Sequence, residues 1–162
     1  MRKRILCAAL VLSLSMGLTA CSGAGAGKEV SEYKKDVETF YNTLVDVDKE
    51  INDIDPSSQE AMDKLFEEFD KLQSSYSQMA ELTVPTKDVP ETFAYISDLA
   101  DEASSYMTQA NEYLKQSFDD SSYNENTLKA ALECYNRANK RAVYIVSLLN
   151  GELPKDENIS YE

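Results

Sequence analysis

The sequence has no histidine and no tryptophan, and between residues 28 and 150 it has no glycine. Histidine is the side chain that titrates near neutral pH and the commonest metal ligand in proteins. Its absence excludes triads with a histidine base, Glu-x-x-His di-iron sites and His-containing zinc sites. No Gly-x-Ser-x-Gly turn or glycine-rich phosphate loop occurs in the 162 residues. We therefore expect no enzyme activity and no cofactor.

Positive charge is also scarce. The chain has 16 Lys and Arg but 29 Asp and Glu, which gives a formal net charge of −13. A nucleic-acid-binding domain needs clustered lysine and arginine for the phosphates, so nucleic acid is not an expected partner. The acidic segment that starts at Asp46 suggests calcium at first sight. It has Ile51 where a calcium loop requires glycine and Ser57 where it requires glutamate. We therefore expect no metal site.

The N-terminal segment has the organisation of an export signal. A basic start at residues 2–4 precedes an apolar run from Ile5 to about Leu18. This order is typical of a secretory signal. The run is too short, and too interrupted by serine, to span ~30 Å of hydrocarbon as a mature helix. We expect residues 1–20 to be a cleaved signal peptide.

The residues that end this segment, Leu18-Thr19-Ala20-Cys21, resemble the lipobox of bacterial lipoprotein precursors. In that family the cysteine thiol receives a diacylglycerol thioether, and the chain is cut just before it. The resemblance implies that Cys21 is the lipidated first residue of a protein anchored at the extracytoplasmic face of the cell membrane. The alternative is an ordinary signal peptide cut after Ala20, which leaves Cys21 as a free thiol.

Residues 21–28 connect the lipidated cysteine to the rest of the chain. Apart from the terminal lysine they are small residues with little to pack, which is typical of a flexible tether. The mature chain keeps 13 basic and 29 acidic residues, so its formal charge is −16. Besides Cys21 it keeps only Cys134, so no intramolecular disulfide is expected. The apolar neighbours of Cys134 favour a buried structural thiol over a reactive one.

Four apolar patterns with helical spacing follow over residues 29–150. The first repeats at three- and four-residue intervals from Val30 to Ile54 and ends before Pro56. Two prolines separate the second pattern from the third, and a run of aspartate and serine separates the third from the fourth. Gly151 ends the fourth, and residues 151–162 form a polar tail. The spacing predicts helices over about 29–54, 57–82, 90–118 and 125–150.

The connections between the patterns are short, so consecutive helices are expected to run antiparallel. Ser57 with Glu60, and Ser122 with Glu125, have the spacing of helix-capping boxes. We predict an all-α, up-down-up-down four-helix bundle, preceded by the signal peptide and the tether. Extended solvent-bridging hairpins are the alternative fold, but four apolar stripes need one another for burial.

The four stripes differ in bulk. The first two helices supply large apolar side chains, whereas the last two supply alanines at 103, 110, 131, 138 and 142. Large residues that face small ones predict a closely packed core. The alternative is a slot beside the alanines, lined by tyrosines whose buried hydroxyls would need hydrogen-bond partners. The candidate slot residues are Tyr76, Tyr106, Tyr113 and Tyr135.

The fourth helix carries Arg137, Lys140 and Arg141, which share one face by their i, i+3 and i+4 spacing. One interpretation is that they pair with acids on neighbouring helices. The other is that they contact anionic lipid headgroups or a partner, because the fourth helix ends at the same end of the bundle as the tether begins.

These observations favour a lipid-anchored extracytoplasmic protein that acts as a protein-interaction or accessory module at the membrane surface. The expected partners are the membrane, through the acyl groups on Cys21, and a second protein. A small-ligand binding or sensing protein that uses the tyrosine slot is the alternative. The arrangement resembles small bacterial lipoproteins with helical-bundle domains, and this resemblance transfers no functional residue beyond Cys21.

Overall fold

The computed structural model describes residues 27–118 and 123–155. These ranges contain no strand. They form helices α1 (Lys28–Asn52), α2 (Ala61–Ala80), α3 (Ile96–Gln116) and α4 (Glu125–Leu149), with a short 3₁₀ helix, Glu91–Tyr95, ahead of α3. The predicted signal peptide, the predicted lipidation residue Cys21 and most of the predicted tether lie outside the described residues.

Consecutive helices run antiparallel. The rings of Phe40 on α1 and Tyr76 on α2 lie 5.1 Å apart, and further along α1 the Glu50 carboxylate lies 2.9 Å from Lys71 Nζ, which is earlier on α2. The same order holds for the pairs Ser77–Ser104, Asp70–Lys115, Thr92–Leu148 and Glu102–Arg141. The predicted up-down-up-down four-helix bundle is therefore confirmed.

The start of α1 and the end of α4 lie at the same end of the bundle, which we call the entry end. Phe93 of the 3₁₀ helix packs against Tyr33 near the start of α1, with ring centroids 6.5 Å apart. The neighbouring Thr92 hydroxyl donates a 2.7 Å hydrogen bond to the carbonyl of Leu148 at the end of α4. The turn between α1 and α2 lies at the opposite end, which we call the far end.

The buried core consists largely of the residues that the helical spacing predicts to be buried. Along α1 every position of the predicted stripe from Val30 to Ile51 is buried, and Ile54 beyond the helix is half-buried. The alanines at 103, 110, 131, 138 and 142 are 0–1% exposed. Small side chains let α3 and α4 approach closely, and these two helices make the most extensive contact in the described part of the bundle.

Helix α2 begins at Ala61, later than the predicted start at residue 57. The Asp55 carboxylate accepts hydrogen bonds from the backbone N–H and the hydroxyl of Ser57, at 2.8 and 2.7 Å. Ser58 accepts a further bond from the Glu60 N–H at 3.2 Å. These local bonds hold residues 55–60 in turns, so the capping box predicted for Ser57 and Glu60 does not form.

The last two helices also differ from the prediction in their first turns. The third predicted helix is divided into the 3₁₀ helix after Pro90 and α3, which begins at Ile96. The N-cap of α4 is Asn124, whose side chain accepts from two backbone N–H groups, and the predicted cap Ser122 lies outside the described residues.

Gly151 ends α4 in the left-handed conformation expected from the sequence, with φ of 79°. Its N–H donates to the Leu148 carbonyl at 3.0 Å, and the N–H of Glu152 donates to the Ser147 carbonyl at 2.9 Å. These two bonds define a Schellman motif, in which glycine avoids the steric cost that a Cβ brings at positive φ.

Candidate functional site

Two of the four candidate slot tyrosines lie in the core. The Tyr76 hydroxyl donates a 2.6 Å hydrogen bond to Asn139 Oδ1, and both residues are buried. Tyr135 is also buried, with its ring centroid 5.5 Å from that of Phe69. The hydroxyl of a buried tyrosine usually has a hydrogen-bond partner, and Asn139 supplies one for Tyr76.

The other two slot candidates, Tyr106 and Tyr113, are half-buried on α3. Their neighbours Met107 and Leu114 occupy the fully shielded positions instead. Ala103, Ala110 and Ala138 are 0% exposed, so no water-sized space adjoins them. Among the described residues, these alanines are therefore shielded, and the four candidate tyrosines divide into two buried and two half-buried side chains.

The core contains polar atoms that the sequence did not single out. Within the described ranges, Tyr41 Oη, Asn139 Nδ2 and Asp48 Oδ1 are buried without a hydrogen-bond partner. Burial raises the pKa of the Asp48 carboxyl above its usual range. An unsatisfied buried group costs roughly 1–3 kcal/mol, so each of these atoms lowers the stability of the bundle.

Buried tyrosines make the fold sensitive to alkaline pH. Burial raises the pKa of Tyr33 and of Tyr135 from 10.0 to about 12. Between pH 10.0 and about 12, these two tyrosines are deprotonated in the unfolded chain but still protonated in the folded chain. The unfolded state then binds fewer protons, so the free energy of unfolding falls as the pH rises from 10 to 12.

We expect the phenolate absorbance of these tyrosines to rise in the same pH interval in which the helical circular dichroism signal falls. Tyr135→Phe should move the midpoint of this transition to higher pH, because it removes one of the shifted groups. Ionisation of all ten tyrosines near pH 10 with full helicity retained would contradict the burial described.

The cationic face predicted on α4 contains two exposed residues and one buried residue. Arg137 and Lys140 are exposed, whereas Arg141 is only 7% exposed, and its Nε donates a 2.8 Å hydrogen bond to Glu102 on α3. The Arg141 guanidinium also lies over the Tyr106 ring, 4.9 Å from its centroid. Arg141 thus pairs with an acid of the neighbouring helix and is not an exposed contact residue.

The two exposed cations lie beside aromatic rings on the side of the bundle. Arg137 lies over Tyr106 at 5.6 Å, and Lys140 lies over Tyr144 at 5.6 Å. At ~1.5 Å of rise per residue, Lys140 is about 14 Å along α4 from its last residue and Arg137 about 18 Å. The end of α4 marks the entry end, so neither cation is located there.

Cys134 is a free, buried cysteine, as its apolar neighbours indicate. Burial raises the pKa of its thiol, which keeps the thiol protonated and weakens it as a nucleophile.

An acidic pocket at the far end was not predicted. It has a volume of about 500 Å³ and lies where α1, the turn after it and the start of α2 meet. Its carboxylates come from both helices and the turn: Glu50, Asp53, Asp55, Glu67 and Glu68. The sequence contains these acids, but only the packing of α1 against α2 brings them to one pocket. In the described ranges, no group of three or more Asp, Glu or Cys residues is arranged to hold a metal ion.

No protein-family model, curated protein or solved structure matches this chain. Within residues 27–118 and 123–155, no helix is long and apolar enough to cross a membrane.

Proposed function

We propose that this protein is a lipid-anchored extracytoplasmic interaction module, attached to the membrane through Cys21 and contacting a protein partner through the side of α4. The main support for a partner contact on α4 is the pair of exposed cations, Arg137 and Lys140, which lie beside aromatic rings. These rings belong to Tyr106 and Tyr144, and the chain as a whole is strongly negative. Arginine and tyrosine are enriched at protein interfaces because they combine apolar area with directed polar contacts.

Charge complementarity suggests a partner segment rich in aspartate or glutamate. A lipid surface is the less favoured occupant of this face, because the two cations lie well along α4 from the entry end, where the tether begins. The tyrosine-slot alternative has less support, because Ala103, Ala110 and Ala138 are fully shielded and Tyr106 lies under two arginines.

The anchor is tested by Cys21→Ser followed by cell fractionation and acyl labelling. We expect the unchanged protein to be membrane-bound and labelled, and the variant to lose the label and leave the membrane fraction. Two buried acyl chains contribute far more to membrane affinity than one, so release of the variant should be nearly complete. A Cys21→Ser protein that stayed membrane-bound and acyl-labelled would show that the lipobox interpretation is wrong.

The partner surface is tested by reversing both exposed cations, Arg137→Glu with Lys140→Glu, and crosslinking the full-length lipidated protein in cells. We expect the crosslinked species to decrease about tenfold, which corresponds to ~1.4 kcal/mol of lost binding energy. The control reverses Lys35 and Lys129, which are exposed and change the net charge equally. An equal decrease in the control would contradict the proposal. So would binding of the Cys21→Ser protein to anionic lipid vesicles that is lost on reversing Arg137 and Lys140.

A further inference from the structure

Two arginines of α4 lie over one tyrosine of α3. The Arg141 guanidinium lies 4.9 Å from the centroid of the Tyr106 ring, and the Arg137 guanidinium lies 5.6 Å from the same centroid. Arg137 and Arg141 are about one helical turn apart, where like charges repel each other. The face of an aromatic ring attracts a cation, which offsets part of that repulsion. The Tyr106 ring therefore connects a buried arginine with an exposed one.

The two arginines differ in how their charge is compensated. Arg141 is 7% exposed, and its Nε donates a 2.8 Å hydrogen bond to Glu102 Oε2. Such charge-assisted hydrogen bonds are among the strong ones, so this pair fixes the Arg141 guanidinium against the ring. Arg137 is exposed, and among the described residues it has a ring contact but no acidic partner. Its positive charge and its N–H donors are therefore available to another molecule.

A guanidinium group suits one kind of anion better than others. All its N–H donors lie in one plane, so contact between its face and a ring leaves the donors free. Two parallel N–H groups match the two oxygens of a carboxylate, whereas the ammonium group of lysine acts as a point charge. An arginine already held against a ring also loses less rotamer freedom on binding than an unrestrained one. Arg137 thus combines free donors with a restricted side chain.

We infer that Tyr106 positions Arg137 to bind one carboxylate of the partner through two parallel hydrogen bonds. This inference rests on the proposed function, in which an acidic partner segment contacts the side of α4. Tyr106 is a positioning residue, because it acts through Arg137. Glu102 acts one step further away, by holding Arg141 against the same ring. The face then selects an aspartate or glutamate side chain by its geometry as well as by its charge.

The first test measures the side-chain order of Arg137 by nuclear magnetic resonance in the full-length protein, purified in detergent and isotopically labelled at the arginine nitrogens. The chain has four arginines, at positions 2, 4, 137 and 141, so the signal lost in Arg137→Lys is readily assigned. We expect Tyr106→Leu to lower the order parameter of Arg137 Nε. The matched control, Tyr113→Leu, truncates another half-buried tyrosine of α3 and should leave it unchanged.

The second test is crosslinking of the full-length lipidated protein in cells. Arg137→Lys keeps the charge but loses the parallel donors, and we expect about a fivefold decrease in the crosslinked species, the effect of losing one hydrogen bond. Tyr106→Leu should decrease it about threefold, because an exposed cation–π contact is modest. Tyr106→Phe keeps the ring, so it should retain both the crosslinking and the order of Arg137. The control Tyr113→Leu should change crosslinking by less than about twofold.

Each part of the inference has its own contrary result. Arg137→Lys crosslinking as well as the unchanged protein would overturn the paired contact with a carboxylate. Equal effects of Tyr106→Leu and Tyr113→Leu, on order or on crosslinking, would overturn the positioning role of Tyr106. The proposed function fails separately, if reversal of both Arg137 and Lys140 leaves crosslinking unchanged. If that reversal reduces crosslinking but Arg137→Lys and Tyr106→Leu do not, only the present inference is wrong.

Discussion

Replacing Phe69 with alanine is expected to lower the free energy of unfolding by about 4 kcal/mol, within the range measured for phenylalanine truncations in protein cores. Phe69 is 1% exposed, and its ring lies 5.5 Å from that of Tyr135. The loss combines the transfer free energy of the ring with a cavity between α2 and α4. Chemical denaturation followed by circular dichroism measures it, because a small helical bundle unfolds in one cooperative transition.

Phe66 provides the control on the same helix. It is half-buried, with Phe118 as its aromatic neighbour at 6.2 Å, so Phe66→Ala deletes the same atoms where solvent already reaches part of the ring. We expect it to cost less than half as much as Phe69→Ala, because less apolar area is lost and the gap stays open to water. Equal losses for the two variants would mean that Phe69 is not the core residue described.

The second large effect is expected for Ala138→Leu, which should lower the free energy of unfolding by about 2–3 kcal/mol, as overpacking of a filled core does. Ala138 is 0% exposed on α4, which packs closely on α3. Three additional carbon atoms have no space there, so the helices must separate or the side chain must leave its favoured rotamers. Chemical denaturation of the purified protein checks this value.

This variant also decides between core packing and the tyrosine slot. A leucine that filled a slot would bury new apolar surface and leave the protein equally stable or more stable. Ala94→Leu is the control, because Ala94 is exposed and its substitution should change stability by less than about 0.5 kcal/mol. An Ala138→Leu protein as stable as the Ala94→Leu protein would support the slot.

The residues of α1 illustrate what a sequence predicts well. The stripe from Val30 to Ile51 follows from spacing alone, because a helix that buries one face needs apolar residues every three or four positions. Gly151 was equally predictable, since few other residues end a helix at positive φ. The start of α2 was not, because Asp55 accepts from the Ser57 N–H and Ser58 accepts from the Glu60 N–H, the two groups that the capping box would have used.

The residues of α3 show that spacing alone does not determine which of two adjacent side chains is buried. Tyr106 and Met107 are adjacent, and either one fits the apolar pattern of an amphipathic helix. The structure buries Met107 and leaves Tyr106 half-buried under Arg137 and Arg141. The choice depends on the rotation of α3 against α4, which a pattern on one helix does not contain.

The sequence by itself determined the helix count, the antiparallel order and most of the core, because periodicity and turn residues are local information. Residues 18–21 resemble a lipobox, and lipidation of Cys21 stays a prediction. Only the tertiary structure decided that Arg141 is buried against Glu102 and that Glu50 and Glu68 meet around Lys71. Both arrangements join residues of different helices, so they follow from the register and rotation that core packing imposes.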